Sequence, residues 1–352
     1  MKRALIAMSG GVDSCASALL TKNAGFECVG VTMKLHTGVT DSTDGCVSSQ
    51  DIEDARGVCQ ALEIPYHVVD FSGDFERCVI KSFVEAYESG ATPNPCIECN
   101  YHLKFNKLFE YGKSLGYDTI VTGHYARIEY DEKYGRRVLK TGLDASKDQS
   151  YVLYRLSREQ LDHTMLPLGG LSKSEVRALA RDAGLDVSSK RDSQDICFIP
   201  DGDYASFIEK YTKKRYAPGN FVTLDGKILG QHKGIIRYTI GQGKGLGLAL
   251  SHRMYVCEKR LDTNEVVIGD NKDLFSCELW ANDIHLSAID SISEPIRVQA
   301  KVRYKHTAQN ATATIENGLL HIVFDEPQRA ICRGQAVVIY DGDVVIGGAT
   351  IM

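Results

Sequence analysis

No apolar run in this 352-residue chain approaches the ~20 residues that a membrane-crossing helix requires. The basic pair Lys2-Arg3 leads into apolar Ala4 to Met8, too short for the core of a secretory signal. Internal repeats and low-complexity linkers are missing as well. An excess of one charge is lacking: the net charge is only −5, so the molecule as a whole is no obvious polyanion binder. The 11 cysteines are odd in number, which argues against a secreted disulfide scaffold. What is present, 43% hydrophobic and 25% charged residues, is ordinary for a folded protein and excludes a disordered chain, a collagen-like repeat and a coiled-coil rod. At ~150 residues per domain the length predicts two or three domains. These features together predict a cytosolic protein with reduced thiols and no membrane partner.

The weak net charge conceals a division. Between Ala205 and Arg260 stand eleven lysines and arginines against Glu209, Asp225 and Glu258, a local charge of +8 that leaves −13 elsewhere. A charge run is commonly a solvated face, but a sign reversal confined to one segment suits a polyanion-binding module.

The first half alternates apolar runs with helical patterns. Strands are expected at Arg3–Met8, Val29–Leu35, Pro65–Phe71, Asp118–Thr122 and Arg137–Lys140. Helices are expected at Asp51–Leu62, Phe75–Ser89 and Tyr101–Leu115, and after the capping box Ser172-Lys-Ser-Glu175. This alternation predicts an α/β, doubly wound parallel sheet over residues 1–203. After a short helix, Asp203–Tyr211, Gly-punctuated β segments fill a small central domain, 204–270. Alternating strands from about Cys277 onward predict a C-terminal antiparallel β-barrel, 271–352.

Directly after the first strand, Ser9-Gly10-Gly11-Val12-Asp13-Ser14 opens a helix. Glycines let the backbone approach a phosphate, and the helix's first amides and dipole favour its negative charge. Asp13 is placed to hold a Mg²⁺ beside the phosphates. There is no G-K-[ST], so this is not the loop of kinases and GTPases. Gly241-Gln-Gly243-Lys-Gly245-Leu-Gly247 mimics a dinucleotide fingerprint, but its glycines are out of register and no clear βαβ unit surrounds it.

Three cysteines stand in distinctive settings. Cys96 and Cys99 form a C-x-x-C in Thr92–Asn100, and Cys197 lies in a polar loop before Phe198. The pair lies near a helix N-terminus and Lys104, which predicts lowered pKa values. A zinc knuckle would need a second ligand pair, and the flanks are not those of a thioredoxin-like redox site. A third reading joins the pair to Cys197 for sulfur handling. Most of the other cysteines fit helix or strand faces as small buried hydrophobes.

SGGVDS resembles the pyrophosphate loop of enzymes that cleave ATP between its α and β phosphates. Together with TPNPC-x-x-CN at 92–100, TGHYAR at 122–127, KDQSYVLY at 147–154, KRDSQDICFIP at 190–200 and YTIGQ-x-KGLG at 238–247, it resembles the bacterial tRNA-specific 2-thiouridylases across essentially the whole chain. That resemblance implies ATP-dependent thiolation of wobble uridine in tRNA, on Glu, Gln and Lys acceptors, with no role on DNA. It implies ATP binding by Ala7, Met8, Ser9, Gly10, Gly11, Val12, Asp13 and Ser14, with Met33 and Gly123 lining the adenine and ribose. Cys99 takes the nucleophile position and Cys197 the persulfide-bearing position. Lys147, Asp148, Gln149, Arg303, Tyr304, His124 and Gln335 would contact tRNA, with Asn94, Pro95 and Cys96 against the base. Cys99 would either attack the persulfide, leaving a Cys99–Cys197 disulfide, or accept the spent sulfur. A cysteine desulfurase or sulfur-relay protein would be the donor.

Two positions depart from the family pattern. Gly243 replaces a usual Arg, and Cys96 replaces a frequent Asp. The second departure opens an alternative in which Cys96, Cys99 and Cys197 hold a 4Fe-4S cluster that carries the sulfur.

Overall fold

The computed structural model describes residues 2–35, 46–185 and 196–352; Lys190–Asp195 of the 190–200 motif that contains Cys197 lies outside the described residues. Five strands form a wholly parallel sheet in the order β3 (Tyr66–Asp70), β2 (Glu27–Lys34), β1 (Arg3–Ala7), β4 (Thr119–Val121), β7 (Thr164–Met165). The central strands are apolar runs because helices cover both sheet faces: β2 is buried from Cys28 to Met33. Helices α1 (Val12–Asn23), α2 (Ser49–Ala61), α3 (Ser72–Phe75), α4 (Lys81–Glu88), α5 (Pro95–Glu98) and α6 (Leu108–Ser114) run between the strands. Wide, π-type turns interrupt the expected helical stretches at Glu76–Ile80 and Cys99–Lys107. Strand order reverses between β1 and β4, the crevice where open α/β sheets receive ligands.

One expected strand belongs elsewhere. Residues 137–140 lie in β6 (Arg136–Thr141), which forms an antiparallel hairpin with β5 (Ala126–Asp131) and pairs through Lys140 with Val344 of the C-terminal barrel. Its polar, charged ends suit a half-exposed hairpin better than the buried parallel sheet. Past α7 (Arg158–Asp162) and the fifth parallel strand, the expected capping box opens α8 (Lys173–Asp182).

Helix α9 (Tyr204–Thr212) starts on the Asp203 side chain, which accepts the Ser206 amide at 3.0 Å. Its Phe207 and Tyr204 pack on Phe198, Phe83 and Tyr87, so one aromatic cluster ties the middle segment to the first domain and seats the residue after Cys197. A four-stranded sheet follows, from β8 (Gly219–Thr223), β9 (Ile228–His232), β10 (Tyr255–Arg260) and β11 (Glu265–Gly269). The Gly241–Gly247 stretch is turns and bends, without the strand–helix context a nucleotide fingerprint needs.

Six strands then close an antiparallel barrel: β12 (Phe275–Leu286), β15 (Leu319–Arg329), β14 (Gln309–Glu316), β13 (Ile296–Lys301), β16 (Ala336–Asp341) and β17 (Val344–Ile351), with β12 pairing both β15 and β17. Leu320, Ile322, Val337 and Ile339 fill its interior, the alternation that the sequence pattern predicted.

Candidate active site

Gly10 has φ +70°, and a Cβ there would lie 2.3 Å from the Asp51 carbonyl oxygen. Only glycine fits, and the first turn of α2 therefore sits directly on the phosphate loop. Ser14 Oγ donates to the Gly11 carbonyl at 2.9 Å and accepts the Ser9 amide at 3.2 Å, which fixes the loop's curl. Gly123 at the end of β4 closes the other side: a Cβ would stand 2.9 Å from the backbone of Asp13. Met8 and Met33, at the ends of β1 and β2, are buried beside it. The structure thus brings the expected nucleotide residues to one sheet edge.

Asp13 has partners that sequence reasoning did not name. Lys173 Nζ lies 2.8 Å from both carboxylate oxygens, and Tyr125 donates its hydroxyl to Oδ1 at 2.7 Å. Lys173 sits 160 residues away at the first turn of α8, where the sequence shows only a capping box. A cation therefore stands at the loop where the sequence suggested Mg²⁺.

The thiols lie on a second wall. Asn94 caps α5 by accepting the Cys96 amide at 3.2 Å, and Pro95 occupies the first helical position. Asn100 donates to the Val152 carbonyl at 3.0 Å, tying the C-x-x-C turn to the 147–154 segment. Cys96 and Cys197 are exposed as residues and Cys99 is half-buried, but packing desolvates all three sulfurs, and each stands close enough to the others to feel its charge. A fourth thiol that the sequence reading did not single out, Cys46, joins them. Cys46 lies near enough to Cys197, Cys99 and Cys96 to feel their charge.

The expected activation of the C-x-x-C is overturned. Burial pushes the Cys99 thiol up to about 12 and raises Cys96, although Lys104 pulls both down. The one-turn helix at Cys96 offers too little dipole to offset loss of water. Cys197 alone is lowered, chiefly by the hydrogen bond from Cys46 and then by Lys104, against its own desolvation. It is the thiol of the group that loses its proton most readily.

Among the described residues no three His, Cys, Asp or Glu side chains come together as a metal site.

The expected tRNA residues divide by environment. Gln335 donates to the Thr92 carbonyl at 2.6 Å, so it braces the Thr92–Cys96 turn from the barrel. Gln149 accepts the Tyr125 amide at 2.9 Å. Asp148 is held by the Gly142 and Ser150 amides at 3.0 and 3.1 Å and by Lys301 at 3.4 Å. His124 is buried against Thr122 at 2.7 Å and is kept neutral by desolvation and by Lys104. Those four side chains organise the floor of the site. Lys147 and Arg303 are half-buried at its rim, and Tyr304, packed on Tyr151, lies near enough to Asp148 and Cys96 to feel their charge.

Where the family pattern has Arg, a Cβ on Gly243 would meet the Tyr255 ring at 2.7 Å. Arg253 and Arg329 both rest on that ring, at 5.3 and 4.9 Å from its centre, so positive charge is retained there. Of the eleven basic residues between 205 and 260, eight are exposed (Lys210, Lys213, Lys214, Arg215, Lys227, Lys233, Lys244 and Arg253). No described helix is long and apolar enough to cross a membrane.

Family models match the whole length of the chain. They are described as a tRNA methyl transferase HUP domain over residues 2–201, a tRNA methyl transferase PRC-barrel domain over 205–270 and an aminomethyltransferase beta-barrel domain over 276–351. The tRNA-specific 2-thiouridylase MnmA of Clostridioides difficile is 48% identical over 355 aligned positions, covering 99% of this chain and 98% of the relative. The enzymes of the same name from Acetivibrio thermocellus and Lachnoclostridium phytofermentans are each 46% identical, over 99% and 100% of this chain and the same shares of theirs. A chain from a solved 4-thiouridine synthetase–RNA complex with bound ATP aligns loosely, at 16% identity and TM-score 0.36 over 60% of this chain and 50% of that one. With relatives this similar over their full length, the chain belongs to the tRNA-specific 2-thiouridylase family.

Proposed function

We propose that the protein puts sulfur on the 2-position of wobble uridine in tRNA, using ATP to activate the base and cysteine thiols to carry the sulfur. The observation that supports this best is the pairing, within one domain, of a phosphate loop at the sheet's crossover with a thiol group that contains one lowered-pKa cysteine, Cys197.

A uridine carbonyl carbon resists attack because its oxygen is a poor leaving group. Adenylation of that oxygen makes AMP the leaving group and releases pyrophosphate. The amides after Gly10 and Gly11 receive the phosphates, and Lys173 supplies charge beside them. Mg²⁺ accompanying ATP would neutralise phosphate charge, with Asp13 as the carboxylate offered on the protein side and shared with Lys173. The Cys197 thiolate accepts sulfur from a persulfide donor, a cysteine desulfurase or relay protein. The terminal sulfur of the Cys197 persulfide then attacks C2 and AMP departs. A second thiol breaks the remaining S–S bond, the role that the family resemblance gives Cys99.

The exposed basic face of the middle segment suits phosphate contacts along the tRNA backbone. The wobble base must leave its stack to reach the Asn94–Cys96 turn. The test is AMP release with tRNA transcripts that differ only at the wobble base. Uridine should stimulate release and cytidine should not; equal release with either refutes base-directed adenylation.

A further inference from the structure

Several surface arginines of this chain hold a carboxylate: Arg136 and Arg158 meet Asp290, Arg260 meets Glu258, and Arg297 meets Asp325. Arg253 and Arg329 differ. Their guanidinium carbons stand 5.3 and 4.9 Å from the centre of one ring, that of Tyr255 at the start of β10. The two charges are therefore at most ~10 Å apart, a range over which like charges repel. Among the described residues neither has a carboxylate within ion-pair distance. Arg329 donates from Nε to the neutral amide oxygen of Asn271 at 2.9 Å. The acids beside Asn271 are engaged elsewhere: Asp270 lies 2.8 Å from His252, and Asp273 accepts the Asp270 amide at 2.7 Å. The ring face attracts each cation, but nothing neutralises the pair.

Two domains build this pair. Arg253 and Tyr255 come from the central domain, and Arg329 ends β15 of the barrel. The glycine-rich stretch that starts at Gly241 seats the ring between them. The Gly241 amide donates to the Val256 carbonyl at 2.8 Å, the Val256 amide donates to Gln242 at 2.9 Å, and Cys332 of the barrel donates to the Ile240 carbonyl at 3.5 Å. A Cβ on Gly243 would stand 2.7 Å from the Tyr255 ring, and one on Gly241 would stand 3.5 Å from Arg329 Nη1. Glycine at 243 thus leaves the room that the ring fills.

We propose that Arg253 and Arg329, seated on Tyr255, clamp one backbone phosphate of the tRNA, so that the bound RNA joins the central domain to the barrel. This rests on the thiolation reading above and gives its substrate a specific foothold. A guanidinium presents a planar fork of donors to phosphate oxygens, and one phosphodiester between the two arginines offsets their repulsion. A polymer suits the place better than a free anion. Arg253 is exposed, and Arg329 acts on buried Cys332 together with Lys259 and Arg303, so positive charge runs on from the clamp toward Arg303 at the rim of the site.

The experiment measures binding of a tRNA transcript with wobble uridine to the full-length protein by fluorescence anisotropy, over a series of salt concentrations. Arg253→Gln and Arg329→Gln should each weaken binding about tenfold and reduce the slope of log K against log salt by about one. Because both hold one phosphate, the double variant should lose little more than either single one. Arg253→Lys should recover only part of the affinity, since it restores charge without the fork. Tyr255→Leu keeps both charges but removes their seat and should bind several-fold more weakly, whereas Tyr255→Phe, which keeps the ring, should bind within twofold of wild type. Melting temperatures are followed in parallel, and Arg253→Gln at an exposed position carries the test should a Tyr255 variant misfold. Single arginine variants that bind within twofold of wild type with an unchanged slope overturn the proposal. So do losses that add fully in the double variant, which would mean two separate phosphates, and so does a change confined to the KM for ATP in AMP release. Wild-type enzyme that does not bind this tRNA overturns the thiolation reading itself, a failure distinct from the others.

Discussion

Lys173→Met removes the cation that the structure places on the phosphate loop while keeping the length of its stem. Lys173 bridges both Asp13 oxygens at 2.8 Å and is only 13% exposed, whereas Asp13 is 33% exposed. Removing one partner of a fully buried ion pair costs about 3–5 kcal/mol. The partial exposure of Asp13 and its retained bond to Tyr125 bring this down to ~2 kcal/mol, since water can reach the abandoned carboxylate. Lys173 also supplies charge beside the phosphates, and loss of an interaction of similar size with bound ATP, at ~1.4 kcal/mol per tenfold, should lower tRNA-dependent kcat/KM for ATP roughly thirtyfold. The assay is initial-rate AMP release across an ATP series, with the melting temperature followed in parallel. Lys173→Arg should recover part of the loss, because it restores charge with a different head-group geometry. A Lys173→Met enzyme with wild-type kcat/KM for ATP would show that the contact to Asp13 is only structural and would refute the argument.

Three other outcomes follow from the same geometry. Gly10→Ala forces a positive-φ alanine against the Asp51 carbonyl at 2.3 Å; strain plus overpacking of about 3 kcal/mol should lower the melting temperature by several degrees and abolish nucleotide protection. Lys259 is buried with no hydrogen-bond partner for its ammonium, and desolvation lowers its pKa from 10.5 to about 8. The unfolded chain then binds more protons between pH 8 and 10.5, so this group makes stability rise across that window by about 3 kcal/mol and burdens the fold below it; Lys259→Met should be more stable at pH 7 and lack that rise in denaturant titrations. Iodoacetamide at pH 7.5 should alkylate Cys197 well ahead of Cys99, which is held near 12, and Cys46→Ala should slow Cys197 by removing the neighbouring donor that lowers it; equal rates for the two thiols would contradict these directions.

The parts of the site legible in the sequence are those where chemistry is local. The Ser9–Ser14 loop announces itself because glycines, a helix start and hydroxyls must be contiguous, and Asn94-Pro95 reads as a helix start before the C-x-x-C for the same reason. Parallel strands announce themselves as unbroken apolar runs. The 137–140 strand misled because a short run of the same kind also serves a hairpin, and its pairing with Val344 is set 204 residues away. Strand β12 is bent within its length, with Asp283 at φ +54°, a feature that the alternation from about Cys277 onward does not reveal. Lys173 and Cys46 were hidden for one reason: each lies beside an ordinary helix cap, and only the fold brings it to the loop or to Cys197. The predicted acidity of Cys96 and Cys99 failed because sequence shows a nearby lysine but not the water excluded by packing.

The most direct test loads Cys197 with a persulfide carrying labelled terminal sulfur, strips the enzyme of iron with a chelator, and adds ATP, Mg²⁺ and unmodified tRNA. The label should move to the 2-position of wobble uridine with one AMP released per sulfur, and Cys197→Ser should transfer none. Transfer that appears only after an iron–sulfur cluster is rebuilt, or label that remains on the protein while AMP accumulates, would contradict sulfur carriage by these thiols.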